Sequence, residues 1–413
     1  MDKELQLAQQ PFIPVILGGN LGAYAIARSF HEEYEVNSII ISAVETGPVK
    51  NSAIIYNWVE PNMQNEDILI KQLKRIENRY PGLPKLLIGS DDWHVEIIVA
   101  IRGHFGDEWT IPYITEQLFN ELTDKSLFYR LCDQIGVDCP RTIAIDCSDM
   151  ATMPAVPFPF PVVLKPSKSV DYVHLQFEGK MKAYILHTEA EWEETLSLVV
   201  DAGFKGIMLA QEFVPGNDTA MHVLTCFSDQ EGEVILSSMG QTLLEDHTPG
   251  GIGNPLAIRT VYNEKVIEQA TKLLEYCRYI GFSNFDIKFD ERDGTYKFFE
   301  INARLGRSNY YVTAQGNNVA RYYVECFLYN RPLEPVFGGE DVLFSLVPKN
   351  LLLSQLKEEK QIIEKVESLY GKGAVEHPLR YYPADSNIHR RLYDVASSMN
   401  YYVKFKKYPA PNQ

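Results

Sequence analysis

Phe285-Asp286-Ile287-Lys288-Phe289-Asp290 and Lys297-Phe298-Phe299-Glu300-Ile301-Asn302-Ala303-Arg304 flank the turn segment Glu291-Arg292-Asp293-Gly294-Thr295. Alternating apolar and polar residues on both sides of an Asp-Gly turn predict two antiparallel strands. Glu300 and Asn302 stand two apart, so they leave the same face of their strand. Asp286 joins them only if the turn has the right parity. A two-residue Asp293-Gly294 loop sets Asp286 and Glu300 on opposite faces. A three-residue loop, Arg292-Asp293-Gly294 with Gly294 in the left-handed region, sets them opposite each other. Phe285, Ile287, Phe289, Phe299 and Ile301 are then expected to face the core. Asp286, Glu300 and Asn302 make a set of hard oxygen ligands, which suits Mg²⁺ held together with substrate phosphates. Arg304, next on that face, is a bidentate donor for a phosphoryl or carboxylate group.

The chain has 413 residues, 45% of them hydrophobic, enough for two or three domains. A net charge of −16 argues against a nucleic-acid coat or a basic membrane-surface protein. The cysteines Cys132, Cys139, Cys147, Cys226, Cys277 and Cys326 form no CxxC and no paired metal spacing. They read as reduced, mostly buried thiols. The polar start Met1-Asp2-Lys3-Glu4-Leu5 has no apolar signal core, and no apolar run approaches a membrane span. A soluble, cytoplasmic chain is expected.

Pro14-Val15-Ile16-Leu17-Gly18-Gly19-Asn20-Leu21-Gly22 reads as a buried strand, a glycine turn and a helix from Ala23 to Glu33. Ser38–Ser42 and Lys85–Gly89 read as further strands, with a helix Ile68–Tyr80 between them. That alternation predicts a parallel sheet covered by helices on both faces. The glycine turn does not match GxGxxG and Ser42 replaces the acidic residue, which disfavours a nicotinamide domain. Its backbone N–H groups remain suited to a substrate anion at a helix N-terminus. Ser90-Asp91-Asp92 follows a strand, where such sheets place ligand groups, and helix capping is the alternative reading. A helix follows Thr123-Asp124-Lys125, with Thr123 as cap, up to Gly136. The segment Met153–Pro161 is proline-rich and cannot be helical. An α+β region follows: strands near 184–187, 207–212, 221–227 and 233–240, helices 189–202, 263–280 and 316–330, and a tail with a helix Leu352–Tyr370.

Lys165 leaves a strand onto the polar loop Pro166-Ser167-Lys168-Ser169-Val170-Asp171, a good position for a phosphate ligand. Lys125 stands at the unfavourable end of a helix dipole, which calls for an anion to offset it. Gln211-Glu212-Phe213-Val214-Pro215-Gly216 ends an apolar strand and can offer backbone groups of Glu212 and Val214 to an adenine edge, with Asp218 available for ribose hydroxyls.

In this order, Asp124-Lys125, Val163-Leu164-Lys165-Pro166, Gln211–Gly216, Asp286 and Glu300-Ile301-Asn302-Ala303-Arg304 resemble the ATP-grasp superfamily. The resemblance covers about residues 120–330. It implies an α/β and α+β chain: a Rossmann-like pre-ATP-grasp domain over 1–120, an ATP-grasp module over 121–330 and an extension over 331–413. Within the module, a small lid subdomain takes about 140–215 and a metal-binding subdomain about 216–330. It further implies ATP and Mg²⁺ as cofactors. Lys125 and Lys165 would contact the phosphates, Glu212 and Val214 would frame the adenine, and Asp286, Glu300 and Asn302 would bind Mg²⁺. Such enzymes activate a carboxylate as an acyl phosphate that an amine then attacks, and Arg304 with Lys165 would stabilise the charge that develops. Ala303 replaces the usual proline of the last motif, a mild change because proline donates nothing there.

Within the superfamily the chain looks most like carboxylate–amine ligases of the D-aspartate ligase type, which join D-aspartate to the lysine side chain of a peptidoglycan precursor. Gly250-Gly251-Ile252-Gly253-Asn254-Pro255, Arg304-Leu305-Gly306-Arg307-Ser308-Asn309-Tyr310-Tyr311 and Asn400–Tyr408 carry that likeness. It implies a small amino-acid substrate and an amine acceptor, a UDP-linked muropeptide among the candidates. Arg304, Arg307 and Arg259 are the basic residues best placed for an acid with two carboxylates, with a structural ion pair as the competing role for Arg307. The oligomeric state is not legible. Two other readings compete: a different ATP-grasp ligase making a dipeptide, nucleotide or cofactor, and a non-catalytic ATP-binding module. The intact metal-site residues oppose the second. A carboxylase is disfavoured because no biotin-accepting segment is visible.

Overall fold

A computed structural model describes residues 3–148, 153–168, 171–172, 174–357, 359–380 and 382–409; Ser169 and Val170 of the loop after Lys165 lie outside them. The first sheet contains β1 (Ile13–Leu17), β2 (Ser38–Ser42), β3 (Ile55–Val59), β4 (Lys85–Gly89) and β5 (Trp109–Thr110), all parallel in the order β3-β2-β1-β4-β5. β1, β2 and β4 are buried at every residue, as strands covered by helices on both faces must be. The expected parallel α/β architecture is present. The helix after β1 runs Leu21–Tyr34, and Asn20 caps it by accepting from the Ala23 N–H at 2.8 Å.

The second sheet is antiparallel: β6 (Thr142–Asp146), β7 (Val162–Pro166), β8 (Tyr184–Leu186) and β9 (Ile207–Glu212) in the order β6-β9-β7-β8. The helix Glu189–Asp201 contributes Trp192, Leu196 and Val199 to a core shared with Val162, Leu164, Met208 and Ala210. The third and largest sheet has the order β14-β13-β10-β11-β12-β16-β17, with β15 beside β11. Its strands are β10 (Met221–Ser228), β11 (Val234–Glu245), β12 (Pro255–Val261), β13 (Gly281–Asp290), β14 (Thr295–Asn302), β15 (Val336–Phe337), β16 (Leu343–Ser345) and β17 (Val375–Glu376).

Two compact units result. One holds residues up to Glu116, Asn217–Phe285 and the chain from Asn302 onward; the other holds Gln117–Gly216 and Asp286–Ile301. The chain passes from one to the other within β13 and returns within β14.

The hairpin differs in detail from its sequence reading. Its loop has four residues, 291–294, because the Gly294 N–H bonds the Asp290 carbonyl at 2.9 Å and Asp293 Oδ1 accepts from both Thr295 N and Oγ1. Gly294 does take the left-handed region, at φ 70°. Taken alone, a four-residue loop would pair Asp290 with Thr295 and set Asp286 opposite Phe299. The Asp286 and Glu300 carboxyl groups are nevertheless hydrogen-bonded, so the expected meeting of these two side chains is present although the loop length is not the expected one. Phe285, Ile287 and Ile301 are buried as expected. Phe289 and Phe299 are only half-buried, whereas Phe298 is fully buried. The Phe298 N–H donates to the Asp138 carbonyl at 2.8 Å, so the segment at Asp138 pairs with the outer edge of β14.

Other departures lie in helices. Asp124 rather than Thr123 caps the helix Lys125–Ile135, accepting from Ser126 N at 2.9 Å, while Thr123 Oγ1 bonds back to Phe119. The expected helix over 316–330 divides into Val319–Tyr322 and a wider turn Tyr323–Leu328. The tail helix divides into Lys349–Gln355 and Lys360–Lys372, and a 20-residue helix Ile388–Lys407 follows that the sequence reading did not assign.

A buried carboxylate is central to the anchoring of the tail on the parallel-sheet region. Asp385 is 4% exposed and accepts from Tyr24 OH at 2.8 Å, Ser52 Oγ at 2.9 Å and Ala53 N at 2.5 Å, with Arg390 Nε at 3.2 Å. Removing one partner of a buried ion pair leaves the other uncompensated. Asp385→Ala is expected to lower unfolding free energy by about 3–5 kcal/mol, read as a drop in the urea midpoint.

Candidate functional site

In the unit holding residues 117–216 and 286–301, the first helical residue after the Asp124 cap is Lys125. A lysine there opposes the helix dipole. Glu300 Oε2 offsets it at 2.7 Å. The anion expected beside Lys125 is thus a side chain of β14. Lys125 in turn holds the Glu300 carboxyl well below the usual range, to about 2, with burial opposing and Lys165 and Asp286 assisting. Lys125, Asp286 and Glu300, assigned to one site from the sequence, are therefore together.

Lys165 leaves β7 beside them. β7 pairs antiparallel with β9, so Lys165 stands opposite Leu209, between the buried Leu164 and Pro166. Its Nζ donates to Tyr129 OH at 2.9 Å and Gln211 Oε1 at 3.0 Å, and lies over the Tyr129 and Phe299 rings at 5.3 and 5.8 Å. Burial, then the neighbouring Lys125 charge, pull its pKa down to about 7 against the partial support of Glu300. Ser167 Oγ donates to Asp124 Oδ1 at 2.7 Å and ties the loop after Lys165 to the cap before Lys125. Tyr129 and Gln211 were missed by sequence reasoning. Tyr129 reads as one more aromatic on an apolar helix face, and Gln211 as the neighbour of Glu212.

Glu212 is mostly spent on structure. Its carboxylate accepts from Arg141 N at 2.9 Å and Arg141 Nε at 3.0 Å, with Arg292 Nη2 at 3.8 Å, and its N–H bonds the Arg141 carbonyl. Val214 is buried just beyond the end of β9.

In the other unit, β1 and β4 end side by side. Gly18, at φ 106°, packs directly against Ser90 and His94, where a Cβ would collide with both. Asn20 Nδ2 donates to Asp91 Oδ2 at 2.9 Å. Asp91 occupies the cap position of the helix Asp92–Ile101 but makes no side-chain cap bond. Arg304 Nη2 donates to Asp92 Oδ2 at 2.7 Å and to Asn302 Oδ1 at 3.3 Å. Burial, followed by Arg304, pushes His94 down to about 3, so it is a neutral ring at pH 7. Burial pushes Asp91 up, with Arg304 and Arg307 opposing. Arg307 is exposed, and its backbone packs on Gly22 at the start of the helix Leu21–Tyr34. Asn20 and His94 were not singled out from the sequence, although the glycine turn and the Ser90-Asp91-Asp92 step pointed to the right strand ends.

Two other candidates have structural partners elsewhere in this unit. Asp218 accepts from Glu245 N at 2.9 Å and pairs with His247 Nε2 at 2.8 Å, which raises the His247 pKa. Arg259 Nε donates to Gln241 Oε1 at 2.7 Å across the β11–β12 pair.

Two lysines and two carboxyls converge in one unit. Comparison with known proteins gives this arrangement a family. The chain is 35% identical to the D-aspartate ligase of Enterococcus faecium over 417 residues, 97% of this chain and 98% of that protein. The chain belongs to the D-aspartate ligase family. No protein-family model matches it. Solved structures with the same fold include N5-carboxyaminoimidazole synthetase from Staphylococcus aureus, at TM-score 0.58 and 13% identity over 84% of this chain and 85% of that one. The L-amino acid ligase of Bacillus licheniformis follows at 0.54 and 15% over 79% and 76%. The biotin carboxylase domain of Hydrogenobacter thermophilus 2-oxoglutarate carboxylase, solved with MgADP and bicarbonate, gives 0.58 and 14% over 79% and 72%. The expected ATP-grasp fold is present, and the chain is an ATP-dependent carboxylate–amine ligase. No helix among the described residues is long and apolar enough to cross a membrane.

The environment of Lys165 gives a signed pH effect. Its pKa is about 7 in the fold and 10.5 ordinarily. Between those values the unfolded chain binds the extra proton, so this lysine makes stability rise with pH across the window. Lys165→Met removes the term. The melting temperature of the variant relative to wild type is expected to be highest at pH 7 and to fall steadily towards pH 10.

Proposed function

We propose that the chain activates a carboxylate of D-aspartate with ATP and transfers the acyl group to the amine of a peptidoglycan-precursor lysine. The observation that carries this reading is the convergence of Lys125, Lys165, Asp286 and Glu300, in a chain 35% identical to a D-aspartate ligase. Attack of the carboxylate on the γ-phosphoryl group releases ADP and forms an acyl phosphate. The amine then attacks the acyl carbon, loses a proton and expels phosphate.

The first step brings two anions together, so the main demand is charge compensation. Lys165 is suited to it, being fixed by Tyr129 and Gln211 before any ligand arrives. Lys125 supplies a second cation once its carboxylate partner is shared. Asp286 and Glu300 approach within hydrogen-bonding distance, and two carboxyls held that close are a fit donor set for a hard divalent cation. We assign Mg²⁺ to Asp286, Glu300 and Asn302; when bound, it neutralises phosphate charge. Glu212 and Val214 are assigned to the adenine through their backbone groups, and Asp218 to the ribose in exchange for its His247 contact. Arg304 is assigned to the developing acyl-phosphate charge, and Arg307 and Arg259 to the acid substrate. Dependence on ATP and on a UDP-linked acceptor puts the reaction in the cytoplasm.

ADP release with D-aspartate and a lysine-containing precursor is expected to exceed release with either alone. If ADP appears equally well with L-aspartate or without an acceptor, the substrate assignment fails. Lys165→Ala is expected to lower kcat/KM by about 10²–10³ while circular dichroism stays unchanged.

Arg307→Met separates a substrate ligand from a structural cation. A rise in the KM for D-aspartate of about tenfold or more, with the KM for ATP unchanged, is expected for a side chain that holds a carboxylate. An unchanged KM for the acid removes Arg307 from the site.

A further inference from the structure

The helix Ile388–Lys407 is turned inside out. Its buried residues are Arg390, Asp394, Ser398, Tyr401 and Phe405, so the first three turns bury polar groups. These have specific partners. Arg390 Nη1 donates to the Pro48 and Lys50 carbonyls, both at 3.0 Å. Arg380 Nε donates to Asp394 Oδ2 at 2.7 Å, and Arg380 Nη2 donates to Ser398 Oγ at 2.5 Å. The opposite side carries Ile388, Leu392, Val395, Met399 and Val403, which are 55–65% exposed, with Tyr402 at 38%. Spacings of four, three, four and four residues place these side chains on one continuous stripe. Single exposed apolar residues need no explanation, but a stripe along an entire helix does.

Charge identifies what covers it. The helix holds five lysines and arginines against one acid, in a chain whose net charge is −16. That acid, Asp394, is buried, so the exposed side carries Arg391, Lys406 and Lys407 and no carboxylate. A second copy of the same face would offer none of these cations a partner. The segments outside the described residues are too short to cover some 30 Å of helix, at 1.5 Å per residue. An apolar stripe bordered by cations, with tyrosine along it, is the composition of a helix lying in the headgroup region of an anionic bilayer.

We infer that the helix Ile388–Lys407 docks the enzyme on an anionic phospholipid surface, with Ile388, Leu392, Val395, Met399 and Val403 at the acyl boundary and Arg391, Lys406 and Lys407 at the headgroups. The overall acidity of the chain does not oppose this, because charges beyond about 8 Å are screened at physiological ionic strength. The test uses the full chain sedimented with vesicles of phosphatidylglycerol and phosphatidylcholine, and with phosphatidylcholine vesicles alone. Wild type is expected to pellet with the first and stay in solution with the second. The double variant Leu392→Glu/Met399→Glu is expected to lose about tenfold or more of the binding while keeping its melting temperature and its ADP release. These side chains are exposed, so folding does not depend on them. Three results would overturn the inference: wild type that ignores the anionic vesicles, a double variant that binds them as wild type does, or a wild-type dimer that the double variant converts to monomer. The last would give the face to a second copy.

Discussion

Lys125 begins a helix whose dipole repels it, and Glu300 holds it there at 2.7 Å. The functional arrangement in that unit depends on this pair. It fixes β14 against the helix Lys125–Ile135, and it supplies the positive field that keeps the Glu300 carboxyl ionised despite burial. Its lysine also supplies part of the field that weakens the hold of Lys165 on its proton, with Glu300 opposing. Tyr129, from the same helix, bonds the Phe299 carbonyl at 2.6 Å and accepts from Lys165, so one helix positions both lysines relative to one strand. In the proposed reaction a phosphate takes the lysines and a cation takes the carboxyls. The two sides of the resting ion pair then serve ligands of opposite sign, and the enzyme begins each cycle with its charges already paired.

The other unit solves a different problem. Its parallel sheet ends in a set of polar groups built from two strand-to-helix steps, Gly18-Gly19-Asn20 and Ser90-Asp91-Asp92. Arg304 reaches the second of these through Asp92. The close approach of Gly18 to Ser90 and His94 leaves no room for a side chain, which is why glycine follows β1. The tail closes onto this region through Asp385, whose three donors come from the helix after β1 and the segment before β3, and whose ion-pair partner Arg390 comes from the last helix. Residues separated by more than 300 positions are thereby made one unit.

Comparison with the solved structures separates fold from substrate. Neighbours at 13–15% identity share the architecture while differing in what their names say they join or carboxylate. The fold therefore cannot specify the acid or the amine. The D-aspartate ligase relative, at 35% over nearly all of both chains, narrows the family. In the proposed reaction, discrimination among substrates falls to side chains such as Arg307, outside the motifs assigned to ATP.

The sequence by itself determined what depends on local pattern. Continuous apolar runs made β1, β2 and β4 buried parallel strands, and alternation about Asp293-Gly294 made the hairpin with Gly294 at positive φ. The meeting of Asp286 with Glu300 was legible there too, although the loop length was not. Only the tertiary structure decided quantities set by residues far apart in the chain. Phe298 rather than Phe299 became the fully buried ring, and a period of two cannot reveal which face of a strand the rest of the chain covers more closely. Asp218 and Arg259 acquired structural partners in His247 and Gln241, and no spacing encodes such pairings. The last helix escaped the sequence reading because its buried side is polar and its exposed side apolar. Pattern reading assumes that apolar residues point inward, and a network such as Arg390–Asp385 can reverse that where buried charges meet partners of opposite sign.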